Sequence, residues 1–309
     1  MSEPPFRPPD PNDVDPAAVR RAFGRAARTY DGAAALQREV GTRMLSRLDV
    51  VKIAPQRILD LGCGTGEGTV ELAARYPGAR VVGLDLALPM ALAARERVQR
   101  ARSIYRRLVA PLLGEPDAEP RFVCGDAVRL PLAGVAFDLA WSNLALQWVG
   151  DLPRAFAELR RTLRTGALLT FTTFGPDTLQ ELRASFARVD GATHVSRFID
   201  MHDIGDMLVQ AGFADPVMDM EYLHVTYPSP AALMRELKAL GATNATRGRP
   251  RGLMGRARYA RVAAELERRA RDGRIPATFE VIYGHAWKGE PRTTADGLPI
   301  VKLERQRRE

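Results

Sequence analysis

Short apolar runs alternate with amphipathic segments along most of the chain, a pattern typical of an α/β protein. The first run, Arg57–Leu59, leads into four glycines at alternate positions and then into an amphipathic segment, Thr69–Tyr76. The later apolar runs predict six more strands, at Arg80–Leu84, Arg121–Gly125, Phe137–Ser142, Gly166–Phe174, Met218–Tyr227 and Thr278–His285. We therefore expect a Rossmann-like sheet of seven strands with helices packed on its faces.

An amphipathic region precedes the first strand. Asp15 and Pro16 are typical of a helix N-cap and a first helical position, and apolar side chains then recur at helical spacing past Tyr30. Residues 15–52 are accordingly predicted to be helical. These helices either lie over a ligand site as a lid or simply pack against the sheet.

The last two predicted strands are separated by more than 45 residues, whereas a hairpin needs only about two to five. This separation predicts a helical insertion at about 228–274, which we interpret as a cap over the substrate side of a main domain, 53–288. Residues 1–14 and the charged tail 289–309 lack apolar periodicity, so we expect both ends to be disordered.

The stretch after the first strand has the order Asp60, Gly62, Gly64, Gly66. Each glycine lacks a Cβ atom, which allows a tight turn and a close approach of backbone amides to a ligand. By itself such a run also fits an ordinary connection between a strand and a helix. Asp85 ends the next predicted strand, about 20 residues on, where a carboxylate is placed to bind two ribose hydroxyls. The combination favours a nucleotide-like ligand.

Later positions extend this site along the same edge of the sheet. Asp126 follows the third predicted strand, at the edge where open α/β sheets bind ligands, and its carboxylate suits an adenine amino group. Met90 has a thioether that suits the adenine face. Asn143 heads the loop after the fourth strand and is expected to face the reacting group, whereas Trp148 in the same loop is expected to form a wall.

The net charge is +8, from 45 lysines and arginines against 37 acidic residues. Ten arginines and only three acidic residues lie between positions 247 and 274. We predict that an acidic partner binds this region and the first helix, through Arg20, Arg21, Arg25, Arg28, Arg247, Arg249 and Arg251. Alternatively, these arginines form only a solvated helix face, or their number reflects a genome that encodes basic residues mainly as arginine.

Composition excludes several classes of protein. No apolar run approaches the roughly 20 residues of a transmembrane helix, and the proline-rich N-terminus is unlike a signal peptide. The two cysteines, Cys63 and Cys124, form no disulfide framework or metal motif, so we expect a cytoplasmic protein. Aromatic residues make up 7% of the chain, and no basic strand carries the aromatic platform of a nucleic-acid-binding module.

Several stretches together resemble the malonyl-[acyl-carrier protein] O-methyltransferases of biotin synthesis, which are class I methyltransferases dependent on S-adenosylmethionine (SAM). Besides the Asp60 glycine loop, the resemblance is carried by more specific runs at 23–37, 137–148, 171–179, 196–198 and 237–244. It extends from about Val19 to Trp287. The chain departs from shorter family members in the Arg100–Pro120 stretch and in the tail after Gly289.

The resemblance implies transfer of a methyl group from SAM to the free carboxylate of a malonyl group carried on acyl carrier protein, which is acidic. The ester hides the charge, so that fatty-acid elongation can extend the chain towards pimeloyl. A carboxylate is already ionised at neutral pH, so no general base is required.

The resemblance and the spacing together assign the site residues. Tyr30 is expected to be a lid residue over SAM and substrate, Asn143 to face the methyl group, and Arg197 to orient the acceptor carboxylate with its fork of donors. The expected cofactor-binding residues are Asp60, Gly62, Cys63, Gly64, Gly66, Asp85, Leu86, Met90, Gly125, Asp126, Ala127, Asn143 and Gln147.

Other interpretations stay open from the sequence. A mitochondrial complex I assembly factor of the same fold hydroxylates a protein arginine and shares the Phe-Gly-x-Asp-Thr-Leu run and the Trp287-Lys288 end, but this chain keeps the 23–37 lid sequence and an intact glycine loop. A methyltransferase with another small acceptor is a second alternative. A nucleic-acid-binding module on a methyltransferase shell is a third, and the retained Asp60, Asp85 and Asp126 argue against it.

Overall fold

The computed structural model describes residues 13–108, 119–250, 252 and 254–290. The predicted disorder of residues 1–12 and 291–309 lies outside the described residues, as do Arg251 and positions 109–118 of the predicted Arg100–Pro120 departure.

Seven strands form one sheet, with the bounds Arg57–Leu61 (β1), Arg80–Asp85 (β2), Arg121–Cys124 (β3), Phe137–Ser142 (β4), Leu163–Phe174 (β5), Ala214–Tyr227 (β6) and Ile275–Trp287 (β7). Their order is β3-β2-β1-β4-β5-β7-β6. Strands β1 to β5 pair in parallel, and β7 runs antiparallel between β5 and β6. The predicted seven-stranded α/β sheet is confirmed. Because the strand order reverses between β1 and β4, a crevice opens at their C-terminal ends.

The helices are Pro16–Ala26 (α1), Tyr30–Ala33 (α2), Ala35–Arg47 (α3), Glu67–Arg75 (α4), Leu88–Leu108 (α5), Leu152–Thr162 (α6), Gln180–Ala187 (α7), Met201–Gln210 (α8), Pro230–Ala239 (α9) and Arg256–Glu267 (α10). Short 3₁₀ turns span Leu48–Val50 and Leu146–Trp148. We call α1 to α3 the lid and the segment 228–274 the cap insertion.

Neighbouring side chains of β1 face opposite layers of the core, because successive strand residues point to opposite faces. Ile58 packs in one hydrophobic cluster with Leu72 of α4, whereas Leu59 packs in the other with Phe156 of α6. All four side chains are fully buried. The strand is therefore covered on both faces, and the glycine loop starts from a rigid buried end.

The start of α1 is joined to the cap insertion by backbone contacts. Val14 and Thr246 form an antiparallel bridge, and the Asp15 amide donates to the carbonyl of Ala245 at 2.8 Å. The prediction of disorder is therefore wrong for residues 13 and 14, since a segment more than 230 positions away supplies the partners that local sequence does not reveal.

The cap insertion divides into two parts. Its loop packs closely on α1, where a Cβ atom on Gly241 would lie 3.1 Å from the carbonyl oxygen of Ala22. Its second helix, α10, buries Val262 and Leu266 in the large core cluster and packs against α7. The loop therefore joins the lid, whereas the arginines of α10 lie over another part of the sheet.

Candidate active site

A cavity of about 370 Å³ lies at the C-terminal ends of β1, β2 and β4, within the size range of small-molecule sites. Lid residues cover one side, and the predicted site residues that line it are Tyr30, Gly62, Gly64, Asp85, Leu86, Gly125, Asp126, Ala127 and Asn143. The fold thus brings most of the predicted site together.

The glycine loop needs its first glycine for two reasons. Gly62 has a φ of +74°, and an added Cβ atom would lie 2.2 Å from the Cβ atom of Ala145. Gly66 has a different role from the one predicted. It lines neither cavity of this site, and at a φ of +85° its missing Cβ atom leaves room for Ala94 of α5. Gly66 therefore serves helix packing.

Asp85 organises the edge of the larger cavity. One carboxylate oxygen accepts a hydrogen bond from the Gly64 amide at 3.0 Å, and the other accepts one from the Ala87 amide at 2.8 Å. Burial raises the pKa of Asp85 to about 6, although both hydrogen bonds lower it. The carboxylate is thus fixed, lines the cavity and is largely ionised at neutral pH.

The third strand supplies the far end of the cavity. The Gly125 amide donates to the carbonyl of Asp85 at 3.0 Å, and one oxygen of Asp126 accepts from the Val128 amide at 3.1 Å. Met90, predicted to meet an adenine face, does not line this cavity, and that contact stays a prediction. Its side chain is fully buried and packs with Ala26, because its position near the start of α5 turns it beneath the lid.

A smaller cavity of about 50 Å³ adjoins the first, and Tyr30, Gly62, Gly64 and Asn143 line both. Cys63 and Asp60 line only the smaller one. Asp60 is 3% exposed, and burial raises its pKa to about 7, against the lowering effect of the hydrogen bond from the Thr69 hydroxyl. Burial likewise raises the pKa of the Cys63 thiol, which stays neutral.

Two polar atoms in the smaller cavity have no hydrogen-bond partner among the described residues: Oε1 of Gln37 and Nε1 of Trp141. Buried polar groups are normally paired. An α-amino acid group would satisfy both, since its ammonium suits Gln37 and Asp60 and its carboxylate suits the indole N–H. Sequence reasoning assigned no role to these residues, and the only signal was their membership in the 23–37 and 137–148 runs that carry the resemblance.

These features fit SAM. The larger cavity offers carboxylates at Asp85 and Asp126 for ribose hydroxyls and an adenine amino group, and the smaller one offers a setting for the amino-acid end. Gly62 and Gly64, which lack Cβ atoms, line both cavities.

The loop after β4 holds the lid. The side-chain amide of Asn143 donates to the carbonyl of Gln37 at 2.9 Å, and its oxygen accepts from the Thr172 hydroxyl at 2.7 Å. Gln147 lines neither cavity. Its amide group donates to the carbonyl of Leu144 at 2.7 Å, and its predicted contact with the cofactor stays a prediction.

Aromatic side chains form the cover. Tyr30 lies near Gly64, whose added Cβ atom would be 3.9 Å from the tyrosine ring. Phe23 lies between Tyr30 and Trp148, with ring centroids 6.5 and 5.2 Å away. Burial raises the pKa of the Tyr30 phenol, so it stays neutral. Trp148 lines the larger cavity, as a wall would.

Arg197 is exposed and lines neither cavity. Its neighbour Phe198 packs on Phe174 at the end of β5, with ring centroids 5.7 Å apart. The fold therefore does not bring Arg197 together with Tyr30 and Asn143, the other residues predicted to be catalytic.

The basic residues of the lid face outward. Arg20, Arg21, Arg25 and Arg28 are exposed, and Arg20 and Arg247 line the larger cavity. Arg249 differs, because it lies 3.1 Å from Asp15 and is only 19% exposed at its side chain. Its charge is already paired within the fold, and its place in a partner-binding surface stays a prediction.

Among the described residues, no group of His, Cys, Asp and Glu has the arrangement of a metal site. In the same part of the chain, no helix has the length and apolar character needed to cross a membrane. Cys63 and Cys124 are both free thiols.

A family model described as a methyltransferase domain matches residues 59–171. The chain is 52% identical over 289 residues to the malonyl-[acyl-carrier protein] O-methyltransferase of Gallionella capsiferriformans, covering 94% of this chain and 96% of the relative. It is 53% identical over 293 residues to the protein of that name from Laribacter hongkongensis, with the same two coverages. It is 41% identical over 300 residues to malonyl-[acyl-carrier protein] O-methyltransferase 1 of Coxiella burnetii, covering 95% and 97%.

Solved structures support the fold. The YcgJ protein of Bacillus subtilis matches with a TM-score of 0.56 at 16% identity, over 81% of this chain and 99% of that one. Phosphoethanolamine N-methyltransferase 2 of Haemonchus contortus, solved in complex with S-adenosyl-L-methionine, matches with a TM-score of 0.52 at 18% identity, over 86% and 57%.

Proposed function

Because this chain belongs to the malonyl-[acyl-carrier protein] O-methyltransferase family, we propose that it transfers a methyl group from SAM to the free carboxylate of malonyl-acyl carrier protein. The observation that carries the proposal within this molecule is the pair of adjoining cavities, with fixed carboxylates in one and unpartnered polar atoms in the other. The methyl ester then primes pimeloyl synthesis for biotin.

The chain's own residues bind and orient. Asp85 accepts hydrogen bonds from ribose hydroxyls, Asp126 accepts one from the adenine amino group, and Asp60 with Gln37 receives the ammonium group. When bound, SAM supplies an electrophilic sulfonium methyl group. Asp60 and Asp85 also add negative charge beside this cationic ligand, which favours its binding.

No residue needs to remove a proton from the acceptor, because a malonyl carboxylate is ionised at neutral pH. The chain contributes by aligning the carboxylate with the methyl group and by excluding water. Tyr30, Phe23 and Trp148 suit the second task, since their rings cover the larger cavity. A neutral Tyr30 phenol also adds no negative charge to repel the acceptor.

Arg197 stays a prediction as the partner of the acceptor carboxylate. Its exposure leaves it available, and Phe198 holds its loop at the end of β5. Arg197→Ala should lower kcat/KM for malonyl-acyl carrier protein more than about threefold without changing SAM affinity. A smaller loss would remove Arg197 from the site.

The acidic carrier protein is proposed to dock on the exposed arginines of α1 and on Arg247. These side chains lie around the cover of the larger cavity, and opposite charges steer such encounters. A cytoplasmic location is proposed as well, because both cysteines are free thiols, as expected of a reducing compartment.

The decisive experiment measures transfer of labelled methyl from SAM to malonyl-acyl carrier protein, with acetyl-acyl carrier protein as the matched control that lacks the free carboxylate. Label on the malonyl form alone supports the proposal. No label on either form, with SAM binding intact by calorimetry, would refute it and favour another acceptor or the arginine hydroxylase.

A further inference from the structure

The lid meets the glycine loop through one polar cluster. Asp31 follows Tyr30 in α2, and its carboxylate accepts a 2.6 Å hydrogen bond from the Thr65 hydroxyl. Its other oxygen lies 2.6 Å from Nη2 of Arg97 in α5. Arg97 also donates from Nε to the carbonyl of Thr65 at 2.8 Å. One carboxylate and one guanidinium therefore join the lid, the glycine loop and α5.

This cluster supports the cover of the smaller cavity. Arg38 donates to the carbonyl of Asp31 at 2.8 Å, and on the opposite side Asn143 donates to the carbonyl of Gln37. Tyr30, Gln37 and Arg38 all line that cavity. The cover of the smaller cavity is thus fixed at two points, one on each side.

The strength of the cluster suits a contact that opens and closes. The Asp31 side chain is 55% exposed and that of Arg97 is 30% exposed, and ion pairs at such positions add little stability. Thr65, by contrast, is 4% exposed. Asp31 and Arg97 line neither cavity, so their effect on a ligand must pass through the segments they hold.

We propose that Asp31 and Arg97 are positioning residues that latch the lid onto the glycine loop and so retain the amino-acid end of SAM. The inference rests on the proposed function only for the identity of the ligand. The methyl acceptor does not enter it.

The test compares SAM affinity, measured by calorimetry, in Asp31→Ala, Arg97→Ala and the double variant. Asp31→Ala should weaken binding about tenfold, the size expected for a lost hydrogen bond plus a half-exposed ion pair. The double variant should lose less affinity than the sum of the two single losses, because both changes break the Asp31–Arg97 pair. Asp31→Asn keeps an acceptor for Thr65 and should fall between wild type and Asp31→Ala.

A matched control breaks another ion pair between the lid region and α4. Arg75 lies 2.6 Å from Asp49, just beyond α3, and neither residue lines a cavity. Arg75→Ala should leave SAM affinity within about twofold of wild type. In the ligand-free protein, amide exchange over residues 30–47 should quicken in Asp31→Ala and not in Arg75→Ala.

Kinetics separate a latch from a general structural effect. In Asp31→Ala the KM for SAM should rise with the dissociation constant, while the KM for malonyl-acyl carrier protein stays the same. Unchanged SAM affinity in Asp31→Ala, or an equal loss in Arg75→Ala, would overturn the latch and leave the proposed function intact. A wild-type protein that binds SAM but methylates no malonyl substrate would refute the proposed function alone.

Discussion

The floor and the cover of the active site are built in different ways. The floor is the glycine loop with the ends of β1, β2 and β4, and its contacts are buried ones such as the bond from the Gly62 amide to the carbonyl of Leu84. The cover, formed by the lid and the loop of the cap insertion, buries apolar side chains such as Val40 and Met44, but several of its polar attachments are partly exposed. The Asp31–Arg97 and Asp15–Arg249 pairs are examples.

This difference separates two tasks. Packing permits little movement of the floor residues that line the cavities, whereas the partly exposed polar contacts of the cover can open locally. The cover also carries exposed arginines on its outer side, so a partner bound there, as proposed, would not contact the floor.

The largest effect is expected from adding one methyl group to the floor. Gly62→Ala would force a left-handed conformation and an overlap with Ala145, lowering the free energy of unfolding by about 3 kcal/mol and abolishing SAM binding. In the lid, Gly32 has no atom within 4 Å of an added Cβ. Gly32→Ala should change stability by less than about 1 kcal/mol. Thermal unfolding and calorimetry measure both, and equal losses would contradict the comparison.

The structure of the floor could be predicted from the sequence because the residues that form it follow one another in short motifs. A buried strand, a glycine run and a helix follow one another, and Asp60, Asp85 and Asp126 sit at strand ends that parallel topology brings to one edge. What could not be predicted is the direction in which individual side chains point. The direction of Met90 depends on how the lid covers α5, and that of Gln147 on the hydrogen bond to Leu144, neither of which leaves a pattern in the chain.

The cover was readable only in part. Its helices follow from the apolar stripe and from the Asp15 N-cap, which accepts from the Ala17 amide. Its attachments do not, because Asp15 and Arg249 are separated by 234 positions. A charge count assigned Arg249 to the outer surface, since composition cannot distinguish a solvated arginine from one paired across the fold.

The second largest effect is expected on SAM affinity, from the ionisation of Asp60 and Asp85 in the floor. Burial raises the pKa of Asp60 to about 7 and that of Asp85 to about 6. A cationic ligand favours the ionised carboxylates, so SAM affinity should rise with pH and level off above about pH 7. Each carboxyl group can contribute up to about a tenfold rise in affinity per pH unit. Calorimetry across this range should show both transitions.

Asp60→Asn supplies the control for that pH dependence. It should remove the upper transition and leave one near the pKa of Asp85, about 6. Affinity that rises towards acid pH in wild type would show that the carboxylates bind as neutral groups. The unliganded protein should respond in the opposite sense, losing stability as pH rises from about 4 to 7, because ionising the buried carboxyls is unfavourable.

A smaller effect is expected on the outside of the cover. Replacing both Arg21 and Arg25 by Glu should raise the KM for malonyl-acyl carrier protein about tenfold at low salt, less at high salt, without changing SAM affinity. Arg80→Glu is the matched control, because Arg80 is exposed at the start of β2, on the edge of the sheet away from the cavity. A similar rise in both would mean that net charge, and not this surface, governs the encounter.

The smallest effect tests how the lid is joined to the cap insertion. Arg249→Ala removes the pair with Asp15 and a 2.7 Å bond to the carbonyl of Thr246, and should cost about 1 kcal/mol. Burial raises the pKa of Asp15, but the hydrogen bonds from Arg249 and from backbone amides together outweigh burial. The pKa of Asp15 therefore lies below its ordinary value. This contribution is therefore present at neutral pH and is lost as pH falls through about 4 and below.

The counterpart on the sheet is Arg164→Ala, which breaks a 2.9 Å pair with Asp138. Both variants should lose similar stability at neutral pH. Only Arg249→Ala should quicken amide exchange in α1, because of these two ion pairs only Asp15–Arg249 joins α1 to the cap insertion. If exchange in α1 is unchanged in Arg249→Ala, the backbone contacts of Val14 and Asp15 and the packing of Gly241 on α1 hold the lid without this ion pair. The cover is then more firmly attached than its exposed ion pairs indicate.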